Sequence, residues 1–191
     1  MSISIKLASI SLITCLTTFS VIAKDFSNNW QASLKFGGWS HHSEDDFHGQ
    51  KFNESHNGLG LQVSRKIQDS HWSIGAEYFY MRDSYSQPSQ MTSILASYSV
   101  YFDNDILTQS DIVTGLTHHN RSRAVAHWLV YPDGKKTLQY TDIDDMNAIY
   151  PSLMLTTRWY DFLEVDVTLI PKTSATPSSV VFFRLGIPFT I

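Results

Sequence analysis

The chain has one cysteine in 191 residues, little charge of either sign and no long apolar run past its start, and each shortage excludes a class of protein. Cys15 falls in a segment that reads as an export signal, so the remaining chain carries no disulfide framework. It must be held by a large core or by a membrane. Charged residues make up 17% and the net charge is -4, which gives no electrostatic ground for nucleic-acid binding. With 42% hydrophobic and 13% aromatic residues, the chain is not a disordered polypeptide either. No internal stretch reaches the roughly 20 apolar residues of a spanning helix. A soluble β protein or a membrane barrel remains.

Met1 and Lys6 give the N-terminus a positive start, residues 7–22 are apolar with scattered Ser and Thr, and Val21-Ile22-Ala23 has the small-residue pattern of a cleavage site. Residues 1–23 are therefore read as a signal peptide, and 24–191 as one domain starting near Lys24. From there the dominant period is two, the period of strands. Eight strands are expected, over 30–40, 58–66, 71–82, 91–102, 108–118, 149–158, 162–171 and 179–191. Short turns at Gln68-Asp69-Ser70, Asp103-Asn104-Asp105 and Trp159-Tyr160-Asp161 alternate with mostly longer loops over 41–57, 83–90, 119–148 and 172–177. The longest loop holds Pro132-Asp133-Gly134, enough for a hairpin of its own. Short connections on one side and long ones on the other are the pattern of a bacterial barrel with periplasmic turns and extracellular loops. The expected fold is all-β, an eight-stranded antiparallel transmembrane barrel of the outer membrane.

Side chains alternate across a strand, so each strand divides into two faces. One face is apolar: Leu34 and Phe36, Leu59 and Leu61, Trp72 and Ile74, Ile94 and Tyr98, Val165 and Val167, Phe183 and Ile187. The opposite face holds Lys35, Glu77, Asp111, Arg158, Glu164, Asp166 and Arg184. In a narrow lumen these charges must pair, and both signs are present. On the same inward face, nearer the outer loops, stand Phe79, Met81, Met91, Leu95, Met154, Ile170 and Phe182. An apolar well above a charged plug is a plausible acyl-chain pocket, with simple filling of a small barrel as the plainer reading. The fifth strand resists the division, because Val113 and Thr114 fall on the wrong faces.

His41, His42, His48 and His56 surround the first outer loop, with His118 and His119 at the third. Together with Glu44, Asp45 and Asp46 they offer imidazole and carboxylate ligands, but their spacing matches no defined metal site and no metal is expected. A sharper grouping is Arg82-Asp83-Ser84 at the outer end of the third strand, facing His41-His42 at the end of the first. A serine needs a base to become a nucleophile, and a histidine oriented by a carboxylate supplies one.

Further residues extend that grouping. Phe52-Asn53-Glu54 leads into Gly58, Gly60 and Ser64-Arg65; Asp83-Ser84 follows a basic residue; Leu169-Ile170-Pro171 precedes a Ser/Thr-rich loop and a last strand containing Val180 and Phe189. In these segments, about two-thirds of the mature chain at low identity, the sequence resembles the outer-membrane lipid A palmitoyltransferases, the PagP family. The resemblance implies transfer of a palmitoyl chain from a phospholipid donor to a lipid A acceptor, with no cofactor. It puts the catalytic residues at Asp83, Ser84 and His42. Strict alternation from Lys35 turns His41 inward instead, so both histidines stay open. The alternatives are a lipid A deacylase using similar rim residues and a non-enzymatic barrel with a structural or surface-binding role. The partners expected are membrane lipids, with the protein a monomer. Pro88, Pro151, Pro171 and Pro188, in or beside strands, are candidate weak points for lipid passage.

Overall fold

A strand with one apolar and one polar face needs a different medium on each side, and closure into a barrel removes its unpaired edges. The computed structural model describes residues 29–44, 46–47, 50–172 and 178–191. Ten strands form: β1 Trp30–His42, β2 Asp46–Phe47, β3 Gln50–Lys51, β4 Ser55–Lys66, β5 Trp72–Arg82, β6 Pro88–Tyr101, β7 Leu107–Val130, β8 Lys136–Trp159, β9 Leu163–Ile170 and β10 Val180–Thr190. All but β2 and β3 close into one barrel in the order β1-β10-β9-β8-β7-β6-β5-β4, each antiparallel to its neighbours. β2 and β3 form a small hairpin within the first outer loop. The signal segment, Asp45, His48 and residues 173–177 lie outside the described residues.

The eight expected strands are all present, and two expected loops are shorter than the sequence suggested. Most of the 119–148 segment is strand, because β7 and β8 each run 24 residues and pair from Leu107↔Trp159 to Val130↔Lys136. Pairing continues outward from the membrane halves with one register shift between Val125 and Ala126, and a tight turn closes the end. There Tyr131 N donates to Lys135 O at 2.8 Å and Gly134 takes φ +81°. At roughly 3.3 Å per residue, 24 residues extend far beyond an apolar band about 25 Å tall. The expected 83–90 loop shrinks to five residues, since Arg82 pairs with Pro88. Pro88 is tolerated as the first residue of its strand.

The apolar face points outward. Ile94 is 73% exposed, Ile149 73% and Leu169 65%, values that water would penalise along a whole belt. Trp72, Tyr98, Tyr160 and Phe162 are exposed near the short turns, in the manner of an interfacial aromatic girdle. The protein is thus a membrane-spanning β-barrel, an architecture that bacteria place in the outer membrane. The fifth barrel strand, β7, keeps the alternation but swaps residue types. Val113 is buried inside, while Thr114 faces out and donates its hydroxyl to Ser152 O at 3.2 Å.

Inside, the charges interlock. Arg184 forms a fork with Glu77, Nη1 to Oε1 at 2.7 Å and Nη2 to Oε2 at 2.5 Å, and its Nε donates to Asp166 Oδ2 at 2.7 Å. Lys35 Nζ reaches Glu164 at 2.8 Å and Asp166 at 3.0 Å, and Arg158 Nη2 reaches Glu164 Oε1 at 2.7 Å. Ser33 and Thr156 donate to Glu164 and Asp166 at 2.6 and 2.8 Å. These six charges each have a partner of opposite sign, which is the condition for burying them; Asp111, the seventh charge expected inside, is held by Gln109 Nε2 at 2.7 and 2.9 Å instead of by a cation.

Removing one member strands its partners. Arg184→Leu leaves Glu77 and Asp166 buried without their guanidinium and is expected to cost about 3–5 kcal/mol of unfolding free energy. The urea midpoint of the barrel refolded in lipid vesicles measures this. Arg65→Ala, an exposed cation over the Trp30 ring, should shift it by less than about 1 kcal/mol.

Candidate functional site at the outer mouth

The candidate site stands where β1, β4 and β5 end at the outer rim, and a break in the phase of β1 builds it. Ser33 and Lys35 face inward, so unbroken alternation would turn His41 inward as well. Gly37 and Gly38 interrupt it with φ +81° and +108°, a backbone conformation in which a Cβ is strained. A Cβ on Gly37 would also stand 2.6 Å from the Trp39 ring. The register against β10 jumps from Phe36↔Leu185 to Trp39↔Phe183, a β-bulge with one extra residue on β1. Beyond it Trp39 faces out, Ser40 in, His41 out and His42 in. The His41 side chain is 79% exposed and that of His42 only 3%. The exposed His41 imidazole also marks this end of β1 as lying beyond the lipid.

Ser84 approaches from the β5–β6 turn. Asp83 folds that turn: its Oδ1 accepts the backbone N–H groups of Tyr85 and Gln87 at 2.8 and 2.9 Å, and its own N–H donates to Gln87 O. Asn53 fastens the turn from outside, its N donating to Ser84 O at 2.7 Å and its Nδ2 to Asp83 O at 3.2 Å. The result brings Ser84 Oγ to 2.9 Å from His42 Nε2. Phe52 stacks on the His42 ring at 4.2 Å and 12°.

The histidine tautomers follow from a backbone group. His56 Nδ1 lies 2.7 Å from Arg82 O, a carbonyl that can only accept, so Nδ1 carries the proton and Nε2 does not. Ser40 then donates its hydroxyl to His56 Nε2 at 2.8 Å and offers its oxygen to His42 Nδ1 at a long 3.5 Å. A proton on His42 Nδ1 leaves Nε2 free to accept from Ser84. Glu54 Oε1 lies 3.8 Å from the same Nδ1. Burial holds the His42 imidazole below its ordinary pKa of 6.5, with Glu54 pulling the other way. Burial likewise pushes the Asp83 carboxyl up against the pull of its two N–H donors, and its Oδ2 is enclosed with no hydrogen-bond partner. The chain thus presents a serine donating to a neutral, buried histidine, the pairing that makes a hydroxyl nucleophilic.

Of the residues named from sequence, His42 and Ser84 meet directly, His41 points away, and Asp83 supports the turn. Phe79, Met81 and Phe182 form one buried cluster with Met91 against it, and Leu95, Met154 and Val113 form a second. Gly58 leaves room for the Phe79 ring, since a Cβ there would lie 2.2 Å from it. Ile170 is only partly buried and belongs to neither cluster. Within each cluster the side chains touch, and both reach Arg184: its guanidinium carbon is 4.9 Å from the Phe79 ring centre and its Nη2 lies 3.5 Å from Met154 Sδ. A polar cavity of about 110 Å³ lies at the other end of the lumen, lined by Gln62, Ser97, Gln109, Asp111 and Arg158. The remaining rim histidines separate: His119 Nε2 takes Ser89 Oγ at 2.6 Å, and His118 is exposed on the outer face. Among the described residues no three His, Asp or Glu side chains are placed to hold a metal ion together. Sequence reasoning passed over Glu54, Phe52, Ser40 and His56 as site residues. The first two stood inside the Phe52-Asn53-Glu54 segment, His56 stood among the rim histidines, and the signal for Ser40 was the Gly37-Gly38 pair that sets its phase.

The fold and this geometry define a membrane-spanning eight-stranded barrel with a serine–histidine pair at its outer mouth. No protein family model matches the chain, and no curated protein matches it. Among solved structures it is similar to the N-terminal β-barrel domain of Pseudomonas aeruginosa OprF, at 14% identity and TM-score 0.47, over 85% of this chain and 98% of that one. It is also similar to Ail, the attachment invasion locus protein of Yersinia pestis, at 13% identity and TM-score 0.46, over 85% and 100%. Neisserial surface protein A matches at 11% identity and TM-score 0.44, over 86% and 98%.

Diethylpyrocarbonate footprinting of the folded barrel tests the phase break. His41 is expected to react at least about tenfold faster than His42, whose Nε2 is engaged by Ser84. Equal rates at the two positions would contradict the inward placement of His42.

Proposed function

We propose that the chain is a serine-dependent lipid acyl enzyme of the outer leaflet, moving an acyl chain, palmitoyl by resemblance, from a phospholipid to lipid A. The 2.9 Å contact between Ser84 Oγ and His42 Nε2 carries this reading. In the reaction, Ser84 Oγ attacks the ester carbonyl carbon as its proton passes to His42 Nε2. The bond to the glycerol oxygen breaks, and that oxygen leaves with the proton from His42. A hydroxyl of lipid A then gives its proton to His42 and attacks the acyl-Ser84 ester, and Ser84 regains its proton. The same pair would hydrolyse lipid A if water took the acceptor's place, which is the deacylase reading.

Two features support a lipid substrate. Met81, Met91 and Met154 are three of the seven residues in the apolar outer lumen, and unbranched thioether side chains yield to an inserted chain more easily than branched ones. The β8–β9 ladder runs only from Trp159↔Leu163 to Met154↔Thr168, so above it Pro151, which lacks an N–H, interrupts no pairing with β9. Lipid could pass there from the outer leaflet. The packing of Phe79, Met81 and Phe182 favours a second reading, a non-enzymatic barrel with a structural or surface-binding role.

Mass spectra of lipid A from a host lacking its own palmitoyltransferase decide between them. Expression of the folded chain should add the mass of one long acyl group, and Ser84→Ala or His42→Ala should abolish the gain, a loss of at least about a thousandfold in rate. A mass loss would select the deacylase, and an unchanged spectrum the non-enzymatic barrel. For the enzyme, pH dependence follows from His42: the base works only when neutral, and burial lowers its pKa from 6.5. Activity should therefore persist below pH 6.5 and fall only at more acid values, whereas an acid limb centred above 6.5 would contradict a buried His42 base.

A further inference from the structure

We infer that Glu54 is the carboxylate that positions His42, while Asp83, which the family resemblance puts among the catalytic residues, builds the turn that presents Ser84. The inference rests on the serine–histidine reading above. Asp83 Oδ1 is engaged by Tyr85 N and Gln87 N, and Oδ2 is enclosed without a partner; no hydrogen bond or ion pair joins Asp83 to His42 among the described residues. Glu54 is held beside β1 by Ser40 N, which donates to its carbonyl at 3.0 Å. Its Oε1 stands 3.8 Å from His42 Nδ1, on the side of the ring opposite Ser84.

The competing acceptor for Nδ1–H is Ser40 Oγ, and the two differ in when they matter. While His42 is neutral, a hydroxyl suffices. When His42 takes the proton of Ser84, the ring becomes a cation and a carboxylate stabilises it more than a hydroxyl does. Glu54 therefore acts in the charged state, as a positioning residue. Its side chain is 53% exposed, and it also lies 3.7 Å from His41 Nδ1, so water and His41 weaken its hold. An exposed pair is worth up to about 1 kcal/mol, which is about fivefold in rate. The titratable groups facing His42 are Glu54 from the loop before β4, His56 from β4 and His41 from β1, with Asp83 facing His56 from the β5–β6 turn. Glu54 is the anion that raises the His42 pKa, while both other histidines lower it.

Two measurements on the full chain, folded in detergent, test the assignment. The first is the rate at which a fluorophosphonate labels Ser84 as a function of pH. Glu54→Gln should slow labelling about fivefold near neutrality and move its acid limb to lower pH, and Glu54→Asp should restore part of the rate. Asp83→Asn keeps an oxygen for the two N–H donors of the turn and should leave the acid limb at the parent's pH, whatever it does to the rate through the turn. Labelling by Glu54→Gln at the parent rate, with the acid limb displaced in Asp83→Asn instead, would overturn the inference. The second is the NMR titration of the His42 imidazole, which reads the coupling whether or not Ser84 is reactive. Glu54→Gln should lower its midpoint and Asp83→Asn should not, and an unmoved midpoint in Glu54→Gln overturns the inference. A parent chain that never labels at Ser84 would instead defeat the serine-enzyme reading.

Discussion

Three cations and three carboxylates share the narrow lumen, and the rest of the structure is arranged around their pairing. Lys35, Arg158 and Arg184 meet Glu77, Glu164 and Asp166 across five strands. Such groups can be buried only together. Their position fixes which face of each strand is inside, and it turns the aliphatic faces toward lipid. It also divides the lumen. Below the plug the interior is polar; above it Phe79 and Met154 contact the Arg184 guanidinium and begin the apolar half. The serine–histidine pair and the apolar half of the lumen thereby lie on the same side of the plug.

That mouth draws its order from the ladder beneath it. The carbonyl of Arg82, the last residue of β5, sets the tautomer of His56, and through Ser40 that of His42. The relay crosses three strands, so the tautomer of a rim histidine traces back to a backbone carbonyl on a strand distant in sequence. The turn carrying Ser84 is similarly cross-braced, held internally by Asp83 and externally by Asn53. The β-bulge in β1 links these parts, since without the extra residue His42 would face outward. Gly38 lies close beneath, with His56 Cβ and the Phe182 ring about 3.2 and 3.3 Å from where its Cβ would be. Helically phased or unbroken strands could not put Ser40 and His42 on the same face as Lys35.

The long hairpin of β7 and β8 shows where a pattern stops carrying information. Inside the membrane, alternation of apolar and polar residues is enforced by lipid on one side and the lumen on the other. Beyond it, water lies on both sides and no alternation is required. The ladder continues past the lipid with one register shift between Val125 and Ala126, so a segment that read as loop is strand to Val130 and back from Lys136.

The amino-acid sequence by itself determined the eight strands, their inward charges, the outward apolar belt and the pairing of a serine turn with a histidine-ended strand, since each is a property of local period and residue type. Tertiary structure alone decided that His42 and not His41 meets Ser84, that Glu54 stands behind the ring, and that Asp83 serves its own turn. The reason is the same in each case. A two-residue period holds only while every residue on one strand faces one on the next, and the bulge at Gly37-Gly38 breaks that correspondence by a single residue. Where the break falls, and which groups it brings within hydrogen-bonding distance, depends on strands distant in sequence.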